Sequence, residues 1–427
     1  MNPTIKKGMI ISMRYVLRNS KGEVLEDKKY AGAVISPLLQ AQLEGLQPGD
    51  AKTIVLKKGD EGADDDFTVD VVIDDVREAP PEAIPMSIHL LSGFLGSGKT
   101  TAIEQACRLL QKRMTPVAVI TNDQGARLVD GDLFNELRIP SAQVINGCFC
   151  CNYNDLDSNI RSLVRSAQPA VLFAESVGSC TDLVATVLKP LLQQHPEWRT
   201  TVSVFADAQL LTDDPSAFDP AIRYIYWKQL EEAQVIVISK IDQIKNKLSL
   251  QQKMQTLYPG KTILYHNSFD EADITHWLSI LDSTPAANLP SLEIDYDLYG
   301  AGEAKLAWLD QQLEIHSPRE NAPAAAIALF QQLSTIPYPI GHLKCLLDKK
   351  TKLSFTATGS TDSAFIPQPA PKATLLINAR VQTLPETLSG LMTEIIKTIE
   401  DTHACTIHTI SKSCFQPGYP RPAHRIG

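Results

Sequence analysis

Short apolar runs, spaced by segments long enough for helices, organise the middle of the chain. They fall at 88–91, 117–121, 171–174, 202–206, 235–239 and 262–265, and consist mostly of Val, Ile, Leu, Phe and Ala. Unbroken runs this short read as strands buried on both faces. Their alternation with helix-length segments predicts a mostly parallel sheet with helices on both sides, whose ligands gather at the carboxyl ends of the strands.

The flanks carry a different pattern. Residues 9–17, 53–56 and 67–76 are dense in β-branched side chains and predict strands. A short helix at 38–46, the turn Gln47-Pro48-Gly49-Asp50 and an acidic loop at 59–66 fill the spaces between them. Pro80, Pro81 and Pro85 make 80–85 a stiff linker. Beyond 285 the predicted order is strand 306–315, helix 323–333, strands 342–347, 353–358 and 373–381, helix 385–400 and strand 406–414. That is βαβ twice with an extra strand, a ferredoxin-like α+β arrangement. The expected organisation is therefore a β-rich domain at 1–79, a linker at 80–85, an α/β domain at 86–284 and an α+β domain at 285–427, ending in an extended proline-bearing stretch at 416–422.

Composition narrows the partners. The 427 residues carry a net charge of −9, which leaves no electrostatic footprint for nucleic acid or an anionic membrane. No apolar run approaches the ~20 residues of a membrane span, and the first residues lack a signal-peptide core. The expected compartment is the cytoplasm, where the eight cysteines should be thiols, so that a cluster of them points to metal or redox chemistry.

The sharpest motif follows the run at 88–91. Ser-Gly-Phe-Leu-Gly-Ser-Gly-Lys-Thr-Thr at 92–101 fits G-x-x-x-x-G-K-[ST], between an expected strand and a helix at 101–113. Gly93, Gly96 and Gly98 let the backbone curl so that N–H groups, with those of Ser97 and Thr101, face phosphates at a helix N-terminus. Lys99 would reach the β- and γ-phosphates and the Thr100 hydroxyl would ligate Mg²⁺. This defines a P-loop nucleotide-binding core. Asp123, Glu175 and Asp207 each stand just past or at the end of an expected strand, so all three are candidates for holding Mg²⁺ or orienting an attacking water. Ser239-Lys240-Ile241-Asp242 compares with N-K-x-D, the guanine-specificity motif of P-loop GTPases. Asp242 would accept from guanine N1–H and its amino group, Lys240 would lay its stem along the base, and Ser239 stands where Asn is usual. GTP is favoured over ATP.

Gly147-Cys148-Phe149-Cys150-Cys151 places three cysteines within four residues. Thiolates this close suit zinc or another soft or borderline ion, with a fourth position left open for transfer; a redox pair and buried small side chains are the other readings. His342 with Cys345, and His403, Cys405, His408 and Cys414, form a looser set. On a regular strand His408 and Cys414 would share one face, although packed or solvated residues remain the preferred reading there.

The order of the phosphate loop, the G-C-x-C-C run, Glu175-Ser176-Val177-Gly178 and Ser239–Asp242 resembles the CobW-type P-loop GTPases, relatives of the urease and hydrogenase accessory GTPases. The resemblance spans about 87–281. It implies a GTPase that binds a transition metal, usually zinc, through Cys148, Cys150 and Cys151 and couples nucleotide state to delivery to a client metalloprotein. Lys99, Asp123 and Glu175 would be the catalytic set, with Thr100 and Glu175 on Mg²⁺ and Asp123 and Glu175 in the switch regions. Asp123 replaces the usual Glu, and the proline that usually ends the Glu175 motif is missing. No arginine finger is legible, so slow turnover is expected. At the other end, 11–17, 22–25, 41–50 and 67–79 resemble FKBP-type prolyl isomerases of the SlyD kind. With few aromatics beyond Tyr15 and Phe67, that resemblance implies a docking module more than an isomerase. A metal-responsive binding protein with incidental hydrolysis, and an FKBP-like folding helper, are the alternative functions.

Overall fold

The structure, a computed structural model, describes residues 4–5, 9–33, 37–57, 66–78, 86–124, 134, 136–145, 147–213, 215–285, 289–360 and 367–427. The expected linker at 80–85, all but the last residue of the loop expected at 59–66, and Gly125 lie outside them. Strands β1 (Met9–Arg18), β2 (Val24–Ala33), β3 (Ala51–Leu56) and β4 (Phe67–Glu78) pair antiparallel in the order β2-β1-β4-β3, with the helix Pro37–Leu43 beside them. β2 had no apolar signal. It is an edge strand reading Val-Leu-Glu-Asp-Lys-Lys at its start, and charge on an edge discourages further pairing. Ile11, Met13, Leu43, Val71 and Ile73 anchor a small separate core, against which Met114 of the following domain packs.

Every apolar run of the middle section is a strand. β5 (Ser87–Ser92), β6 (Val117–Asn122), β7 (Ser141–Val144), β8 (Val171–Glu175), β9 (Arg199–Asp207), β10 (Val235–Ser239) and β11 (Thr262–His266) form one sheet in the order β11-β10-β9-β5-β8-β6-β7, all neighbours parallel. β6 and β10 are buried along their whole length, because helices cover both faces. β7, half polar and at the edge, was invisible to the apolar pattern. The architecture is that of a P-loop NTPase core, with the phosphate loop leaving central β5.

β12 (Leu306–His316), β13 (Ile340–Leu347), β14 (Thr351–Thr356), β15 (Gly359–Ser360), β16 (Lys372–Gln382) and β17 (Thr406–Phe415) make the third sheet, in the order β15-β14-β13-β16-β12-β17 and antiparallel throughout. The inner order β13-β16-β12-β17, with the helices Ala322–Leu333 and Pro385–His403, is the ferredoxin-like topology with an added hairpin. Period-two alternation splits this sheet. Leu309, Leu343, Cys345, Leu375, Ile377 and Ala379 pack under the helices. Trp308, Asp310, His342, Lys344, Asn378 and Arg380 lie on the opposite face, and Leu306 and Trp308 join the core of the nucleotide domain.

One expectation fails here. β17 carries a bulge: Thr409 pairs with Leu313, Ser411 with Gln312, and Ile410 is the extra residue. The insertion reverses the alternation, so His408 lies opposite Glu314 whereas Cys414 lies opposite core residue Leu309. His408 and Cys414 are therefore on opposite faces. His342 and Cys345 are likewise divided between the two sides of β13.

Candidate functional site

The loop between β5 and the helix Lys99–Lys112 is folded hard onto its neighbours. Gly93 has φ 130°, and a Cβ there would stand 2.1 Å from the Phe205 carbonyl oxygen of β9. Gly98, at φ 86°, is the helix N-cap, which leaves the first-turn N–H groups available at the positive end of the helix. Lys99 is buried and its Nζ donates to the Gly93 carbonyl at 2.6 Å. Ser239 Oγ donates to the Ser97 carbonyl at 2.7 Å and so ties the end of β10 to the loop. A cavity of about 250 Å³ opens over these residues. Asp242, in the turn after β10, and Asn267 and Phe269, after adjacent β11, line it together. Phe269 is 75% exposed and adds an aromatic side chain to the same lining, a feature the sequence motifs did not flag.

Of the three acidic candidates, Glu175 is the one the fold brings to the loop. Both of its carboxylate oxygens lie 2.9 Å from Thr100 Oγ1. A hydroxyl and a carboxylate, both hard oxygen donors, beside a phosphate cradle fit Mg²⁺. Asp207 is committed elsewhere. It ion-pairs with Lys240 at 2.7 Å, accepts from Thr358 Oγ1 at 2.8 Å, and caps the helix Ala208–Asp213 through the N–H groups of Gln209 and Leu210. Lys240 adopts φ 56° and directs its ammonium to Asp207.

Three consecutive residues at the end of β6 reach three different places. Asn122 Nδ2 donates to the Val144 and Gly147 carbonyls at 2.9 and 2.7 Å, and its Oδ1 accepts from Phe149 N–H at 2.8 Å. Asp123 accepts from Arg380 Nη2 at 2.9 and 3.1 Å. Arg380 is fully buried, holds Asp310 at 2.7 Å through Nη1, and stacks on Trp308 at 4.1 Å. Gln124 donates to Glu303 at 3.0 Å, and the same Glu303 oxygen accepts from Ser179 Oγ, beyond β8, at 2.6 Å. Burial pushes the Glu303 carboxyl up to about 8. Arg380 and Glu303 escaped the sequence reading because each lies far along the chain from the strand ends it serves.

The side chain of Asn122 thus grips the cysteine loop. The sulfurs of Cys148 and Cys150 are 2.7 Å apart, and that of Cys151 lies 3.3 Å from the first and 3.8 Å from the second. Among the described residues this is the one group of three ligand atoms gathered within 4.8 Å. A compact sulfur trio suits zinc or a similar cation. Cys180 Sγ is buried 3.9 Å from Cys150 Sγ, behind the trio. The stretch after β17 crosses the site: Arg421 N–H donates to Cys151 Sγ at 3.3 Å, Ala423 N–H to the Cys150 carbonyl at 2.8 Å, and the His424 ring meets Tyr153 edge-on at 4.9 Å.

A P-loop in a parallel sheet, with a hydroxyl–carboxylate pair below it and a cysteine trio beside it, defines a nucleotide-binding protein with a candidate soft-metal site. Residues 87–264 match the family described as CobW/HypB/UreG, nucleotide-binding domain, whose members are GTPases. The chain is 30% identical over 159 residues to the zinc chaperone YeiR of Escherichia coli (36% of this chain, 46% of that protein). It is 24% identical over 195 residues to the zinc chaperone CobW of Pseudomonas aeruginosa (37% and 50%). The chain spans about half the length of these curated relatives. Among solved structures it is similar to the Zn(II)-bound YjiA GTPase from E. coli (TM-score 0.35, 14% identity, 73% of this chain and 99% of that one). HypB from Helicobacter pylori in complex with nickel gives a TM-score of 0.36 at 17% identity, over 48% of this chain and 92% of that one. Among the described residues, no helix is long and apolar enough to cross a membrane.

Proposed function

We propose that the chain is a GTP-hydrolysing metal chaperone that carries zinc, or a similar transition metal, on Cys148, Cys150 and Cys151 and passes it to an apo-metalloprotein under control of its nucleotide state. The observation that carries this reading is Asn122. It ends the strand whose next residue lines the cavity, and its amide holds the cysteine loop through the Gly147 carbonyl and the Phe149 N–H, and β7 through the Val144 carbonyl. The phosphate-loop N–H groups and Lys99 bind the phosphates, and Asp242 with Phe269 selects and stacks the base. Thr100 and Glu175 would hold Mg²⁺, which neutralises phosphate charge when bound. A change at Asp123 when the γ-phosphate leaves is transmitted one residue back to Asn122, and from there to Gly147 and Phe149. The N-terminal sheet serves as a docking module for the client.

The test is a zinc titration of metal-free protein alongside GTP turnover, in wild type and in a Cys148/Cys150/Cys151→Ser variant. Tight zinc binding that alters turnover, with both effects lost in the variant, is expected. Turnover identical with and without zinc would overturn the coupling.

A further inference from the structure

The polar face of the C-terminal sheet is a wall of the nucleotide cavity. Cross-strand pairing sets His342 opposite Thr356, Lys344 opposite Ser354, and Leu346 opposite Lys352, so these side chains share one face. His342, Lys344, Lys352, Ser354 and Thr356 all line the cavity. The contact is close. A Cβ on Gly96 of the phosphate loop would stand 2.7 Å from Thr356 Cγ2, and one on Gly341 would stand 2.6 Å from Leu95 Cδ1. Within this wall Lys344 comes nearest the chemistry, with Nζ 3.5 Å from Thr100 Oγ1, the hydroxyl paired with Glu175. In a chain of net charge −9, two lysines turned inward at the mouth of a phosphate cradle mark a place where negative charge is received.

We propose that Lys344 is a catalytic cation supplied in cis by the C-terminal sheet, stabilising the charge that develops on the γ-phosphoryl group during hydrolysis. It does the work that an arginine finger does in other P-loop GTPases. In the reaction, the oxygen of water bonds to the γ-phosphorus while the bond from that phosphorus to the β,γ-bridging oxygen breaks. The bridging electron pair leaves with GDP, the γ-phosphoryl becomes orthophosphate, and one proton goes to solvent. Charge on the equatorial and leaving oxygens is what a cation arriving from the far wall would compensate. Turnover then depends on how the C-terminal sheet is seated, because the strand that carries Lys344 also presses Gly341 onto Leu95 of the loop.

This inference rests on the GTPase reading, so the experiment separates the two. GTP turnover, GDP affinity and trapping of GDP with aluminium fluoride are measured on full-length wild type, Lys99→Ala, Lys344→Ala, Lys344→Arg and, as a control in the exposed turn, Lys350→Ala. Wild type that does not turn over GTP would overturn the underlying reading. Given active wild type, Lys344→Ala should lower kcat by about tenfold or more, keep GDP affinity within about threefold, and lose aluminium-fluoride trapping. Lys344→Arg should recover part of the rate, and Lys350→Ala should match wild type. Unchanged kcat in Lys344→Ala, or a slower rate with trapping intact, would overturn the role of Lys344 and leave the GTPase reading standing.

Discussion

The C-terminal sheet turns its polar face onto the phosphate loop, and Arg380 and Thr356 reach Asp123 and Gly96 from it. The N-terminal sheet keeps its own small core and packs that core against Met114, a turn residue at the rear of the nucleotide domain. One contact is made of buried charge and close backbone approach; the other, among the described hydrophobic residues, is made by one partly buried side chain. Buried, paired charges cannot be separated cheaply, whereas apolar contact at one methionine can. The C-terminal sheet thus lines the cavity over the phosphate loop and is locked to it by charge, whereas the N-terminal sheet meets the nucleotide domain through apolar contact at its rear.

The strongest way to break that contrast is at Arg380. Its guanidinium holds Asp123 and Asp310 together with no exposure to water. Arg380→Met would leave both carboxylates near a buried interface without their cation, at a cost of about 3–5 kcal/mol. The apparent unfolding midpoint should fall by roughly 10 °C, and GTP turnover should drop with it. Adding Asp310→Asn should restore part of the stability, since one of the stranded charges is removed. A midpoint within about 2 °C of wild type would mean that the C-terminal sheet is no more interlocked than the N-terminal one.

Glu303 sharpens the same contrast through pH. Its carboxyl lies at about 8 in the folded protein against an ordinary value of 4.5, because burial disfavours the charged form. Between those two values the folded chain keeps a proton that the unfolded chain releases. The stabilisation is therefore complete below about pH 4.5 and is lost as pH rises through about 8. Glu232, pushed up to about 8 for the same reason, adds a parallel slope. Glu303→Gln should keep the bond from Ser179 and flatten only part of the decline. Unfolding midpoints between pH 6 and pH 9 would check this, with a difference of a few degrees expected at the alkaline end. Equal slopes in the two proteins would remove Glu303 from the account.

Local features were legible in the sequence and distant ones were not. The phosphate loop, the cysteine run and the buried strands each declare themselves within a dozen residues, because a tight glycine turn, a thiol cluster and a two-sided strand are all contiguous. Thr100 was expected beside a carboxylate, but which of Asp123, Glu175 and Asp207 it meets depends on how strand ends converge, and the fold chose Glu175. Lys344 had a local signal: Ile-Gly-His-Leu-Lys-Cys-Leu-Leu at 340–347 alternates polar and apolar early on, as a strand with one polar face should. What that face covers was not readable. The bulge at Ile410 is the opposite case, where one inserted residue reversed a face that simple alternation had assigned.

The smallest effect should come from removing the attachment. Deleting residues 1–85 leaves the parallel and C-terminal sheets with their own cores, and exposes Met114 and little else of the described apolar surface. A partly exposed methionine is worth at most about 1 kcal/mol of lost burial. The shortened chain should therefore bind zinc and turn over GTP within about twofold of wild type, with a midpoint lowered by no more than a few degrees. Metal transfer to a client should slow, because on the docking reading the deleted sheet raises the local concentration of that client at the cysteine loop. A tenfold loss of intrinsic turnover would show instead that the N-terminal sheet bears on the nucleotide site as directly as Lys344 and Arg380 do, and the contrast between the two outer sheets would have to be given up.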